Sequence, residues 1–246
     1  MEPINVAVTV AGVPIEMGMN VPAETVKLRA MLPILHQMSN AFINAAEASI
    51  QEEGKEISCK AGCGACCRQL VPVSESEAFD LRVLVESMPE PRRSEIISRF
   101  SSTMETLNAA EFFERLDAVS IKGEDAYEEI LREYFRFGIA CPFLENESCS
   151  IHESRPITCR EYLVTSPAEL CNSAEGEGIA NVRHYFQLKE ALISVARNKT
   201  PEELPYVPLV RVLDWTKESD DDSPTQTGKE WVAALFDFLV RHSKPA

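Results

Sequence analysis

The 246-residue sequence has no run of roughly 18 apolar residues. A membrane-spanning helix needs about 20, so none is expected. Positive charge is scarce, with 24 lysines and arginines against 39 aspartates and glutamates and a net charge of −15. Nucleic acid and anionic membrane both select a basic surface, so neither is an expected partner. The start, Met-Glu-Pro-Ile-Asn, lacks the positive and apolar regions of a signal peptide, and the expected compartment is the cytoplasm. No glycine-rich phosphate loop, Gly-x-Ser-x-Gly elbow or His-Glu-x-x-His motif is present. Those absences remove the common signatures of nucleotide binding, serine hydrolysis and zinc peptidase chemistry. Cysteine is missing from the first 58 residues and from the last 75.

All eight cysteines fall between those limits. Four are packed into Cys59-Lys-Ala-Gly-Cys63-Gly-Ala-Cys66-Cys67, and four more follow as Cys141, Cys149, Cys159 and Cys171. Cysteine used as a small core filler would be scattered; cysteine gathered in this way acts together. In a reducing compartment metal binding is a better account than disulfides. Thiolate is a strong ligand for soft and borderline metals, and the metal promotes loss of the thiol proton.

The spacing narrows this reading. If the first stretch were helical, its four sulfurs would share a face, although Gly62 and Gly64 make a tight loop equally possible. Cys63 and Cys66 form the only Cys-x2-Cys pair, so neither a zinc-finger nor a ferredoxin pattern is present. Adjacent Cys66 and Cys67 point in different directions, about 100° apart in a helix, and rarely serve one mononuclear ion. They feed two sites, or reach two atoms of a cluster, or one stands aside. Lys60, Arg68, Arg155 and Arg160 flank the cysteines. They either neutralise a thiolate site or are ordinary surface charges. His152 is a possible nitrogen ligand, and His36, on an apolar helix face, reads as structural. Cys171 has the weakest case on spacing alone. A Cys-His nucleophilic pair would leave most of the thiols unexplained.

The fold class expected is mostly α: an irregular helical domain with a small N-terminal β-hairpin and cysteine-bearing loops that meet at a metal site. Residues 4–19 read as two strands turning at Ala11-Gly12. An apolar periodicity runs from Pro22 and Glu24 to about Glu53, with Pro33 expected to kink or split that helix and Gly54 to end it. Ser74-Glu-Ser-Glu77 is a capping box for a helix ending near Met88-Pro89. Pro91 starts another expected to reach Val119, with a break at Gly123, and Glu124 to Phe137 is a further helix stopped by Gly138. Arg155-Pro156 reads as a helix start, and residues 185–197 are helical. Val207 to Trp215 fits a strand or a short helix. The expected organisation is a hairpin appendage over 1–21, a helical metal-binding domain over 22–217, an acidic linker over 218–228 and a docking helix over 229–246.

Cys59-x3-Cys63-x2-Cys66-Cys67, Cys141-Pro-Phe-Leu, Cys149-Ser-Ile-His-Glu-Ser-Arg-Pro156, Cys159-Arg-Glu-Tyr162 and Cys171-Asn172 follow one another in this order. This order resembles the bacterial YkgJ-like cysteine-cluster family, whose signature is written CxxCxxCC and whose domain is described as zinc- or iron-chelating. The likeness covers about residues 59 to 172. Three residues separate Cys59 from Cys63 where many members have two, and His152 stands where members often have tyrosine. The resemblance implies a metal or iron–sulfur site built from these cysteines. Similar motifs occur in flagellin lysine N-methylases.

The sequence therefore leads to a metal-binding protein that holds an iron–sulfur cluster or iron, alternatively zinc, with no protein partner identified. Cys63, Cys66, Cys141, Cys149 and Cys159 are the first ligands expected, followed by Cys67, Cys59 and Cys171. The rivals are a metal-dependent protein-modifying enzyme such as a lysine N-methyltransferase, and a metal chaperone or storage protein.

Overall fold

Half-buried and exposed residues alternate along the first strand, the period of a sheet with one face covered. In the computed structural model, which describes residues 1–10, 13–119, 124–174, 176–182, 187–195 and 204–242, this pattern forms a hairpin. Strand β1 (Glu2–Val10) pairs antiparallel with β2 (Val13–Val21), in register from Glu2↔Val21 to Val10↔Val13. The expected turn at Ala11-Gly12 lies outside the described residues.

The next segment departs from the expected continuous helix. Strand β3 (Thr25–Lys27) and a 3-10 turn, Leu28–Met31, precede α1 (Leu32–Glu52). Pro33 therefore sits in the first turn of α1 and starts the helix instead of kinking it. In that turn the missing N–H is one the helix would leave unpaired anyway. Gly54, at φ 72°, ends the helix in the left-handed region.

Short strand β4 (Pro72–Val73) leads into α2 (Glu75–Ser87), capped reciprocally by Ser74 and Glu77. The expected helix from Pro91 to Val119 is two helices, α3 (Arg92–Ala109) and α4 (Phe112–Val119). Glu111 adopts a positive φ of 51° between them, which breaks the helical path although the apolar periodicity runs on. Helix α5 (Glu124–Arg136) follows, and the expected break at Gly123 lies outside the described residues.

The second cysteine segment begins with a small hairpin, β5 (Leu144–Glu145) and β6 (Ser148–Cys149). Its short helix α6 (Ile157–Glu161) starts just after Pro156. Helix α7 (Leu188–Val195) is the described part of the expected 185–197 helix. The segment that fitted strand or helix contains both, as β7 (Val207–Pro208) and α8 (Val212–Glu218) around a 3-10 turn. Residues 225–227, within the segment expected as a linker, form β8 (Thr225–Thr227) and pair with β3 before α9 (Gly228–His242).

Among the described residues, three apolar clusters fill the interior. The first joins the hairpin, α1, α6, α7 and α9 through Val21, Leu35, Ile157, Leu192, Trp231 and Leu235. The apolar stripe of α9 thus covers the hairpin, and the Trp231 indole donates to the Val26 carbonyl at 2.8 Å. The second joins α3, α4 and α5 around Phe112 and Tyr134. The third packs α2, α3 and α8 around Phe100 and Val212, and also takes Phe143 and Ile151 from the second cysteine segment, with Cys141 and Cys149 at its margin. This last cluster anchors the cysteine-bearing loop to the helical body. The expectation of a mostly α protein with an N-terminal hairpin and cysteine-bearing loops is met. No described helix is long and apolar enough to cross a membrane.

Candidate metal centre

The first cysteine segment is a loop, not a helix. Cys63 N–H closes a turn on the Lys60 carbonyl at 3.1 Å, and Cys66 and Cys67 occupy a 3-10 turn, Ala65–Arg68. Gly64, buried just before it, lies so close to the β5–β6 hairpin that a Cβ would stand 2.7 Å from Leu144 Cδ1 and 2.8 Å from Glu147 Oε2. Glycine lets this loop approach the hairpin without displacing those side chains.

Hydrogen bonds fix this loop against both ends of the second segment. Cys141 N–H donates to the Cys67 carbonyl at 2.7 Å, while Ser58 N–H donates to the Val164 carbonyl at 2.9 Å. Cys149 pairs with Leu144 in the hairpin, and Cys159 is carried by α6. Cys171 lies in a 3-10 turn, Ala168–Asn172, and is 3% exposed, whereas the other seven are half-buried. The two segments, remote in sequence, share one neighbourhood.

The thiols interact within it. All eight are free, and Cys66 is hydrogen-bonded to the adjacent Cys67 thiol. Cys66 also lies within electrostatic reach of Cys59, Cys141, Cys149, Cys159 and Cys171. Cys63 lies within reach of Cys59 and Cys171. Burial pushes the Cys141 thiol up to about 12, with Cys149 and Cys66 adding to the effect. Burial likewise holds Cys159 well above the ordinary thiol range. These thiols stay protonated at neutral pH unless a cation replaces their protons, which is the reverse of what an activated nucleophile requires.

Among the described residues, however, no group of three or more cysteine, histidine or carboxylate side chains is already arranged to hold an ion. The loops meet, but their sulfurs do not close around a point. His152 is exposed on a 3-10 turn, His152–Ser154. The donor set nevertheless fits a thiophilic metal in its chemistry: eight free thiols, two docked loops and a cationic neighbour.

Of the flanking cations, Arg68 is taken by Glu147 through Nη1–Oε2 at 3.1 Å and Nη2–Oε1 at 2.7 Å. Arg160, 5% exposed, donates to Asn40 Oδ1 and the Arg155 carbonyl at 3.0 Å each, and also to the Glu153 carbonyl. Lys60 is exposed. Arg155 lies within electrostatic reach of Cys59, Cys66 and Cys149, from both segments.

Two supporting residues escaped the sequence reading. Glu77, read only as half of a capping box, is 4% exposed, and its carboxylate also accepts from Ile157 N–H at 2.8 Å. It thereby ties α2 to the helix carrying Cys159. Tyr162 accepts from Gln69 Nε2 at 3.3 Å and is hydrogen-bonded to Cys171. The Glu77 link carries no local signal, because its partner lies 80 residues away. Tyr162 was visible only as the end of the Cys-Arg-Glu-Tyr run.

Fold and site together define a helical protein with a two-segment thiol cluster set against its core. Residues 58–175 match the model of the CxxCxxCC family, described as "Putative zinc- or iron-chelating domain". The matched stretch spans all eight cysteines. No curated protein and no solved structure matches the chain.

Proposed function

We propose that the protein binds zinc or iron, the iron as ions or as an iron–sulfur cluster, through cysteine thiolates from both segments. The observation that carries this reading is the position of Cys66. It stands at the meeting of the two loops, within reach of cysteines from each. We assign all eight thiols to the ligand pool: Cys59, Cys63, Cys66, Cys67, Cys141, Cys149, Cys159 and Cys171. Cys66 is the thiol of this pool that interacts with the largest number of the others. A bound ion would supply the positive charge that these buried thiols need in order to deprotonate, and would cross-link loops far apart in sequence.

The test is anaerobic purification followed by elemental analysis and an absorption spectrum. Iron with sulfide, and a broad band near roughly 400 nm from thiolate–iron charge transfer, identifies a cluster. Stoichiometric zinc in a colourless protein identifies a thiolate zinc site. Protein free of both metals would overturn the reading.

A further inference from the structure

Among the described cations around the thiols, Lys60 is exposed, Arg68 and Arg160 have partners, and Arg155 keeps a buried N–H without one. Arg68 is paired with Glu147, and Arg160 is spent on Asn40 and two carbonyls. Arg155 has no ion pair among the described residues, and its Nε is buried with no hydrogen-bond partner. A guanidinium keeps its charge under all ordinary conditions, so a buried N–H of this kind calls for an anionic or lone-pair acceptor.

The backbone holds this residue in place. The Arg155 carbonyl accepts from Arg160 Nε at 3.0 Å, and Pro156, with its φ of −54°, follows at the start of α6. The side chain is therefore presented from a fixed point beside the thiol cluster. Its charge reaches Cys59 and Cys66 of the first segment and Cys149 of the second. Four thiolates on one divalent ion leave about two negative charges in excess. The rest of the chain is strongly acidic, so its own field does not relieve that excess.

We propose that Arg155 is the cation that neutralises the metal-loaded cysteine centre and donates a hydrogen bond to its sulfur. The inference rests on the metal-binding reading above and assigns a task to one residue beside that centre. Lysine in its place would keep the charge, whereas glutamine would keep polar N–H groups but lose it.

The test is a chelator challenge of the full-length, metal-loaded protein as purified, following metal release over time. Wild type is compared with Arg155→Gln and Arg155→Lys. Circular dichroism first establishes that each variant keeps its helical signal, and Arg155→Met takes the place of a glutamine variant that does not. The expected result is release on the order of 10- to 100-fold faster from Arg155→Gln, the scale found for groups that support metal ligands. Arg155→Lys is expected to stay near wild type. Equal release from wild type and Arg155→Gln would overturn the inference alone, as would a lysine variant as leaky as the glutamine one. Wild-type protein that carries no metal would overturn the metal-binding reading and this inference with it.

Discussion

The Cys141 main-chain N–H donates to the Cys67 carbonyl across 2.7 Å. This bond joins the start of one cysteine segment to the end of the other. It does not depend on any sulfur, so backbone alone holds the loops together here. Removing a single thiol should therefore cost metal without undoing the loop contact.

That expectation can be checked with one variant from each segment. Cys66→Ser and Cys141→Ser should both keep their circular dichroism and both retain metal on the order of 10- to 100-fold less tightly. Metal content after a chelator challenge is the measurement. If one variant retained metal as wild type does, the segments would not serve a shared centre.

Gly64→Ala should disturb the same junction by bulk alone. The added methyl would lie 2.7 Å from Leu144 Cδ1 and 3.1 Å from the Glu147 carbonyl oxygen, so the Leu144 side chain must turn away and the hairpin backbone must give by a few tenths of an ångström. Overpacking of this kind costs about 1–3 kcal/mol. A thermal melt should show a lowered midpoint, and metal retention should weaken with it. An unchanged midpoint would mean that the loop does not rest on the hairpin.

Glu77 offers a sharper contrast. Its carboxylate accepts from Ser74 N–H and Ser74 Oγ at 2.9 Å each, and from Ile157 N–H at 2.8 Å. Glu77→Ala leaves these buried donors without an acceptor, at about 1–3 kcal/mol for each one stranded. Glu77→Gln keeps one carbonyl oxygen and should destabilise less. Denaturant unfolding of the two variants measures the difference, and equal stability of alanine and glutamine variants would count against the cross-link.

His36 gives the protein an acid limit. Burial, with the Arg160 charge adding to it, lowers its pKa from 6.5 to about 4, and its Nε2 has no hydrogen-bond partner. The unfolded chain takes up the proton near 6.5, while the folded one resists until about 4. The stability that neutral His36 contributes is therefore complete above 6.5 and is lost as pH falls toward 4. Melting midpoints between those values should fall less steeply in His36→Leu than in wild type. Parallel profiles would show that the histidine is not responsible.

Legibility in the sequence followed the range of the interactions. The hairpin, α2 and α5 rest on local patterns: alternation, a capping box and an apolar stripe ending at glycine. The start of α1 did not, because the residues ahead of it form β3, whose partner Thr225–Thr227 lies about 200 residues away. The break at Glu111 was hidden for a different reason, since apolar spacing continues through it and only the backbone angle records it. In the candidate site, the cysteine pattern marked out the two segments that the fold brings into contact. It could not announce their supports. Glu77 reads as a helix cap, Tyr162 as a motif residue and Arg155 as one of four interchangeable charges until the fold shows which already has a partner.

The hairpin and the helix that covers it are far apart in the sequence, ending at Val21 and beginning at Gly228. A hairpin alone is marginal in water, and its apolar face is matched here by Trp231, Leu235 and their neighbours on α9. At about 5–20 residues per second, the ribosome makes that helix roughly 10–40 s after the hairpin. Through this interval Ile15 and Val21 lack their final cover, and the apolar face of the strand pair stays open.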